Sequence, residues 1–345
     1  MPAIAKFENG LLKGLVNYFG GKRRIVQLIA RLAVGRRFTD LFFGGGSVGL
    51  YMKAQGYQVE AADRSYLSYL LGRGLLMNDN KTVTRTDLQR LFVPQVSNTF
   101  CTDNYFPNLF TERHSQWIDD AVEASDPIRD ETTKATSRLV VAKAIFQLRA
   151  FGAFTNQLYM QQYNNKDEKA ILKRSGSYYK NLSMTTWELA SKAAEDVNAS
   201  IFANGMTNRF FPCDVFEYLD LGHPIDTIYI DPPYYGSQNY EAYYAIVNRI
   251  LSGGKFQIPA SSMFNDKEQW FQTMTRMIEK CSRVPRLIFS YGGYNGIAER
   301  DRLVELMESL RGPSIQNITV PYTYSIHRTS GNGAAAPEFL IVSDL

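Results

Sequence analysis

The chain has 345 residues, 45% of them hydrophobic and 21% charged, with a formal net charge of +4. That balance excludes a disordered polyelectrolyte, and the length calls for one large α/β domain carrying an insertion, or for two domains. No apolar run reaches membrane-spanning length, and Glu8 interrupts the opening "MPAIAKFENGLLKGL" where a secretion signal needs its apolar centre, so a cytoplasmic protein without a membrane segment is expected.

In chain order, "KRRIVQLIARLAV" spaces Ile25, Leu28, Ile29 and Leu32 at i, i+3, i+4 and i+7, which predicts a helix after Lys22 that packs by that stripe. "FTDLFF" predicts a strand, "GGG" a tight loop, "SVGLYMKAQ" a helix and "YQVEAAD" a second strand ending at Asp63. From Asn80 to Gly205 the alternation is lost, and helices are predicted around Ala135 to Leu148 and Trp187 to Asn198. The α/β pattern resumes with "RFFPCD", "TIYID", a helix carrying Trp270, Phe271, Met274, Met277, Ile278 and Cys281, and the strand "RLIFSY". "ITVPYTYSIH" and "PEFLIVSDL" then read as an antiparallel pair that closes the sheet. The expected fold is α/β, a Rossmann-like sheet contributed by residues 1–79 and 206–345, interrupted by a mainly helical inserted domain over 80–205.

Cys101, Cys213 and Cys281 are odd in number and far apart, and His114, His223 and His327 are equally scattered. Neither set supports a disulfide framework, a structural metal or a His-based triad. The charge is unevenly placed. Residues 1–37 hold eight basic groups against Glu8, and residues 134–180 hold nine against Asp167 and Glu168, a local +7 in each case. Two such segments suggest a face that meets a polyanion, although solvated helix faces give similar counts.

Gly44-Gly45-Gly46-Ser47-Val48-Gly49 fits G-x-G-x-x-G, and Asp63 ends the next strand. Glycines there let the backbone approach a cofactor, and the acid suits ribose hydroxyls. The geometry serves a nicotinamide cofactor or S-adenosylmethionine equally. A second stretch, "DTIYIDPPYYGSQ", runs a short apolar strand into Asp231, Pro232, Pro233 and Tyr234. The prolines stop the strand because each lacks a backbone donor, so Asp231 stands at a strand end, where ligands bind in open α/β sheets.

Taken with "NYFGGK" at Asn17 to Lys22 and "DLFFGGGSVGL" at Asp40 to Leu50, the Asp-Pro-Pro-Tyr tetrad resembles the Dam-like, alpha-group DNA adenine methyltransferases. The likeness covers about two thirds of the chain and follows the family's order of motifs. It implies an S-adenosylmethionine-dependent methyltransferase sheet, with the insertion as target-recognition domain and double-stranded DNA as partner. Residue by residue, it implies that Tyr18 and Lys22 meet the methionine end of S-adenosylmethionine and that Phe42, Gly44 and Gly46 line the loop. Asp63 would take the ribose and Asp214 the cofactor's adenine amine. Asp40 stands where relatives often have Glu, and a loop-stabilising hydrogen bond competes with a cofactor role for it. In the insertion, "FGAFTNQLYMQQYNN" keeps Gly152 and Phe154 but lacks the family's proline, so a target sequence does not carry over. Arg149, Asn156, Lys166, Lys169, Lys173 and Arg174 are the expected DNA contacts.

The tetrad suits one chemistry in particular. The exocyclic amine of a nucleobase is a poor nucleophile because its lone pair is delocalised into the ring. If Asp231 and the carbonyl of Pro232 each accept one amine hydrogen, the lone pair is localised and aimed. Tyr234 offers a stacking surface for a base swung out of the duplex. Adenine is the expected target. Cytosine N4, RNA and a non-catalytic DNA-binding role are the alternatives, and a restriction-enzyme partner is not legible.

Overall fold

The computed structural model describes residues 22–148, 180–233, 240–257, 263–264, 266, 269–292, 296–320 and 338–345. These form two compact units. One gathers the described residues within Lys22–Arg64, Gly205–Tyr240 and Pro259–Leu345, the other those within Ser65–Asn204 and Glu241–Ile258.

The first unit is built on a seven-stranded sheet. Its strands are β1 (Arg37–Asp40), β2 (Gln58–Ala62), β3 (Arg209–Phe211), β4 (Thr227–Ile230), β5 (Arg286–Gly292), β6 (Ile315–Val320) and β7 (Glu338–Asp344). They lie in the order β3-β2-β1-β4-β5-β7-β6. The first five are parallel, and β7 inserts antiparallel between β5 and β6, with Arg286 opposite Asp344 and Gly292 opposite Glu338. The expected antiparallel pair therefore closes the sheet, with the last strand inside and β6 at the edge. The burial follows from this order. All four residues of β4 are buried, as a central parallel strand covered on both faces requires, whereas β6 has only half-buried and exposed positions.

Charged pins set the register at the far end of the strands from Asp231. Arg286 clamps Asp344 through two contacts, at 2.6 and 2.7 Å. Asp226, just before β4, accepts the backbone amides of Arg36 and Arg37 at 2.8 and 2.9 Å and is also held by the Arg37 side chain, which keeps its carboxyl down to about 2. Gly35 makes room for this: its φ is +68°, and a Cβ there would lie 2.4 Å from that of Asp226.

Helices α1 (Val26–Leu32), α2 (Ser47–Ala54), α3 (Val215–Asp220), α4 (Trp270–Lys280) and α5 (Gly296–Arg311) belong to this unit. The stripe expected on α1 is shifted: Ile25, Val26 and Ile29 are buried, while Leu28 and Leu32 are half-buried. Val26 lies beside Ile25 and Ile29 on a helical wheel, so the apolar face turns toward it. On α4, Trp270, Met274, Met277 and Ile278 enter the core, as does Cys281 just beyond it, each contributing on the order of 1.5–3 kcal/mol by burial for the larger side chains. Phe271, expected with them, is 45% exposed and instead faces the guanidinium of Arg302 at 6.0 Å. Phe271 shares the edge of the buried stripe with Ile278, seven residues on, but it stands in the first turn of the helix.

The second unit is helical. Its longest described helix, Glu131–Leu148, is buried almost all round, packed by Glu112–Ser125 and Thr186–Ala199. Thr185 and Glu188 cap the last of these reciprocally, each accepting the other's backbone amide. The unit also takes in Tyr66–Leu71, continued by a π-helical turn at Gly72–Leu76 that packs on Glu131–Leu148, where Gly74 leaves space for Leu139. Among the described residues, no helix is long and apolar enough to cross a membrane.

Candidate active site

The chain passes from β1 to β2 and β3 in one direction, then returns to place β4 and β5 on the other side of β1. That reversal makes the carboxyl ends of β1 and β4 a topological switch point, the usual ligand-binding crevice of an open α/β sheet. Asp40 ends β1, Asp63 follows β2, Asp214 follows β3 and Asp231 follows β4. Four acids singled out by sequence thus stand along one edge of one sheet.

The glycine loop connects β1 to α2. Gly44 and Gly46 have φ of +51° and +72°, a left-handed conformation that disfavours side chains. Phe43, which no sequence motif marks, explains the tightness: its buried ring lies under the loop, and a Cβ on Gly46 or Gly49 would approach it to 2.8 Å. Phe42 is half-buried and meets Phe264 edge-on at 5.2 Å between centroids.

Asp63 Oδ2 accepts the amide of Gly44 at 2.8 Å, linking the end of β2 to the loop. Asp40 is buried, and its Oδ2 accepts the amide of Gly49 at 2.9 Å, which ties the strand end to the first turn of α2. Its Oδ1 makes no hydrogen bond among the described residues. Burial, with repulsion from Asp231 and Asp63 added, pushes the Asp40 carboxyl up to about 8 against the pull of the Gly49 and Phe42 amides. One Asp40 oxygen thus stabilises the loop, and the other is a buried oxygen outside that bond.

Asp214 is the N-cap of α3. Its Oδ1 accepts the Phe216 amide at 2.9 Å, Glu217 returns a bond to its backbone, and its Oδ2 lies 3.9 Å from Arg64 Nε. Lys22 is 2% exposed, and its Nζ lies 3.0 Å from Asp231 Oδ1 and 3.3 Å from Glu338 Oε1. The ammonium therefore sits on the Asp231 carboxylate. Glu338 and Ser290, joined at 2.6 Å, were not anticipated. The available signal was slight: one acid at the head of the otherwise apolar "EFLIVS".

Tyr18, Tyr234, Arg149, Asn156, Lys166, Lys169, Lys173 and Arg174 lie outside the described residues. Within the second basic segment, three cations are engaged inside the helical unit. Arg138 is buried against Ser125 and Asp126, Lys143 lies 3.2 Å from Asp196, and Lys134 lies 3.9 Å from Asp126. In the first segment, Lys22 is buried on Asp231 and Arg37 is paired with Asp226. The raw count of basic residues therefore overstates the charge offered to a polyanion. Of the histidines, His114 is buried and pushed down to about 4 mainly by that burial, and His223 lies 2.7 Å from Glu60.

The residues gathered at the switch point fit a ligand with hydroxyl and cationic groups. The glycine loop has left-handed turns, Asp63 and Asp214 are partly exposed acceptors, and Asp40 holds a buried acceptor in reserve. Comparison with known proteins identifies the family and, with it, a methyl donor in general. The Type II methyltransferase M2.HphI of Haemophilus parahaemolyticus is 27% identical over 325 residues, 90% of this chain and 92% of that protein. Residues 18–280 match a family whose description decides between adenine and the cytosine and RNA alternatives: the chain belongs to the D12 class N6 adenine-specific DNA methyltransferases.

Proposed function

We propose that this enzyme, which methylates adenine in DNA, is of the Dam-like alpha group, takes its methyl group from S-adenosylmethionine, and uses Asp231 as the acceptor that activates the adenine amine. The observation that carries this reading is the placement of Asp231 at the carboxyl end of β4, beside β1 and its glycine loop. The motif order supports the subgroup.

S-adenosylmethionine, when bound, supplies a methyl group on a positively charged sulfur, so no strong base is required. Gly44 and Gly46 let the backbone approach it, Asp63 accepts from the ribose hydroxyls, and Asp214 takes the amine of its adenine through the oxygen not engaged in capping. Asp40 Oδ1 is suited to an ammonium, which gives Asp40 its part in holding the methionine end, with Phe42 and Tyr18 lining the pocket. Lys22 acts on Asp231, and any contact it makes with the methionine carboxylate is additional to that.

Asp231 and the carbonyl of Pro232 each accept one hydrogen of the target amine, drawing the nitrogen toward a tetrahedral geometry with its lone pair directed at the methyl group. The paired prolines fix that carbonyl's direction. The target base is extruded from the duplex at a cost of a few kcal/mol, and Tyr234 provides the stack that replaces its neighbours. The helical unit serves as the target-recognition domain. Arg149 and Asn156 have the donors to read base edges or hold phosphate, and Lys166, Lys169, Lys173 and Arg174 contact the phosphates. The likeness to M2.HphI along nearly the whole of both chains supports a place in a Type II restriction-modification system.

Single-molecule sequencing of DNA from cells expressing the protein tests the reading. N6-methyladenine at one recurrent sequence, absent from cells expressing Asp231→Ala, is the expected result. Equal methylation by the variant contradicts it.

A further inference from the structure

The acid that opens the last strand has no part in the chemistry of the Asp-Pro-Pro-Tyr tetrad itself. Because β7 runs antiparallel to β5, its first residue lies at the carboxyl edge of the parallel strands. Ile230 of β4 pairs with Phe289 of β5, which puts Asp231 and Ser290 at the same level on neighbouring strands. Glu338 arrives at this edge from the far end of the sequence. It is fully buried, yet a buried carboxylate is costly unless paired and hydrogen-bonded. Its Oε1 accepts the Ser290 hydroxyl at 2.6 Å and lies 3.3 Å from Lys22 Nζ, which lies 3.0 Å from Asp231 Oδ1.

We infer that Glu338 is a positioning residue for methyl transfer: it shares the Lys22 ammonium with Asp231 and thereby keeps a net negative charge at the carboxylate that activates the adenine amine. This rests on the assignment of Asp231 as that acceptor. Two carboxylates and one ammonium carry a charge of −2 + 1 = −1. With Glu338 neutral, the sum is zero, and the ammonium's field falls on Asp231 undivided. Attack by the amine places positive charge on its nitrogen, so a neutral cluster stabilises the transition state less than an anionic one. Ser290 fixes which way Glu338 points, and the ammonium, with three donors, can serve both acids at once. The arrangement explains why a lysine so close to the acceptor does not silence it.

The test uses the whole chain and compares Glu338→Gln, Glu338→Asp, Ser290→Ala, Lys22→Met, the double variant Glu338→Gln with Lys22→Met, and Asp231→Ala. Single-turnover methylation with saturating DNA and S-adenosylmethionine is measured beside the affinity for each. For Glu338→Gln the expected result is a rate lowered about tenfold or more, short of the ~100-fold typical of losing a direct transition-state partner, with both affinities held within about twofold. Glu338→Asp restores the charge and should recover part of the rate. Ser290→Ala, which alters no charge, should lower the rate several-fold and keeps the test decisive if the glutamine variant fails to fold. In the Lys22→Met background, Glu338→Gln leaves the cluster anionic and Asp231 free of the ammonium's field, so its effect should be clearly smaller than in the wild-type background. A wild-type rate in Glu338→Gln, or an undiminished effect in the Lys22→Met background, overturns the inference. A wild-type rate in Asp231→Ala contradicts the assignment of Asp231 instead, so the two failures are distinguishable.

Discussion

Asp40 and Gly49 join the end of β1 to the first turn of α2 through one hydrogen bond of 2.9 Å, leaving the second oxygen of a buried carboxyl without a donor. The carboxyl, ordinarily near 3.8, is raised to about 8, chiefly by burial. An acid with a raised folded-state pKa contributes stability that is fully present below its unfolded pKa and is lost as pH rises through the folded one. Stability should therefore decline between about pH 4 and pH 8, by at most about 1.4 kcal/mol per pH unit from this group. Asp40→Asn removes that slope, so its melting temperature relative to wild type should climb across the interval. A constant difference in thermal melts would show that Asp40 is ionised throughout.

The same oxygen makes a binding prediction. If the ammonium of S-adenosylmethionine meets Asp40 Oδ1, binding near pH 6.5 must draw off the proton, releasing up to roughly one per site. Calorimetry in buffers of differing ionisation enthalpy reads this directly. No release would leave Asp40 as a stay for the loop alone.

Asp63→Ala should weaken S-adenosylmethionine binding by about 1–3 kcal/mol, the scale of removing a carboxylate's hydrogen bonds. It also frees the Gly44 amide, so the effect belongs to the loop and the ribose together. NADH should not bind either protein. Titration calorimetry showing unchanged affinity in the variant would move the ribose elsewhere.

Much of this site was legible because its residues stand at strand ends, and strand ends were marked by abrupt changes of residue type. "TIYI" stops at Asp231-Pro232, and "QVEAA" stops at Asp63. What sequence did not reveal depends on pairing between distant strands. Glu338 reaches the lysine that sits on Asp231 only because β7 inserts beside β5, and no spacing within "PEFLIVSDL" announces it. Phe43 was hidden for another reason: beside Phe42 in an apolar run, neither ring declares which one the glycines fold around. The basic segments misled in a third way. Formal charge ignores pairing, and Arg138 and Lys143 lie inside a helical unit.

That distinction yields a paired experiment on DNA binding. Neutralising Lys166, Lys169, Lys173 and Arg174 together should reduce the salt slope of DNA affinity, by about 0.9 for each phosphate that is no longer neutralised. Lys143→Ala should instead lower the denaturation midpoint and leave the slope unchanged, because its ammonium already lies 3.2 Å from Asp196. An unaltered slope in the quadruple variant would assign phosphate binding to other residues.

The proposed mechanism turns on Asp231 as the acceptor that makes the adenine amine nucleophilic. The most direct measurement is the single-turnover rate of Asp231→Ala on a duplex carrying the target site, with 2-aminopurine fluorescence following the base in a parallel sample. The variant keeps the glycine loop, Asp63 and the paired prolines, so it should bind cofactor and DNA and retain most of the flipping signal. Methyl transfer should fall by at least ~100-fold. Tyr234→Ala should differ by changing the flipping signal itself, at a cost of roughly 1–3 kcal/mol in base stacking. Methylation by Asp231→Ala at near the wild-type rate would contradict the mechanism, reducing the Asp-Pro-Pro-Tyr stretch to a turn at the end of a strand.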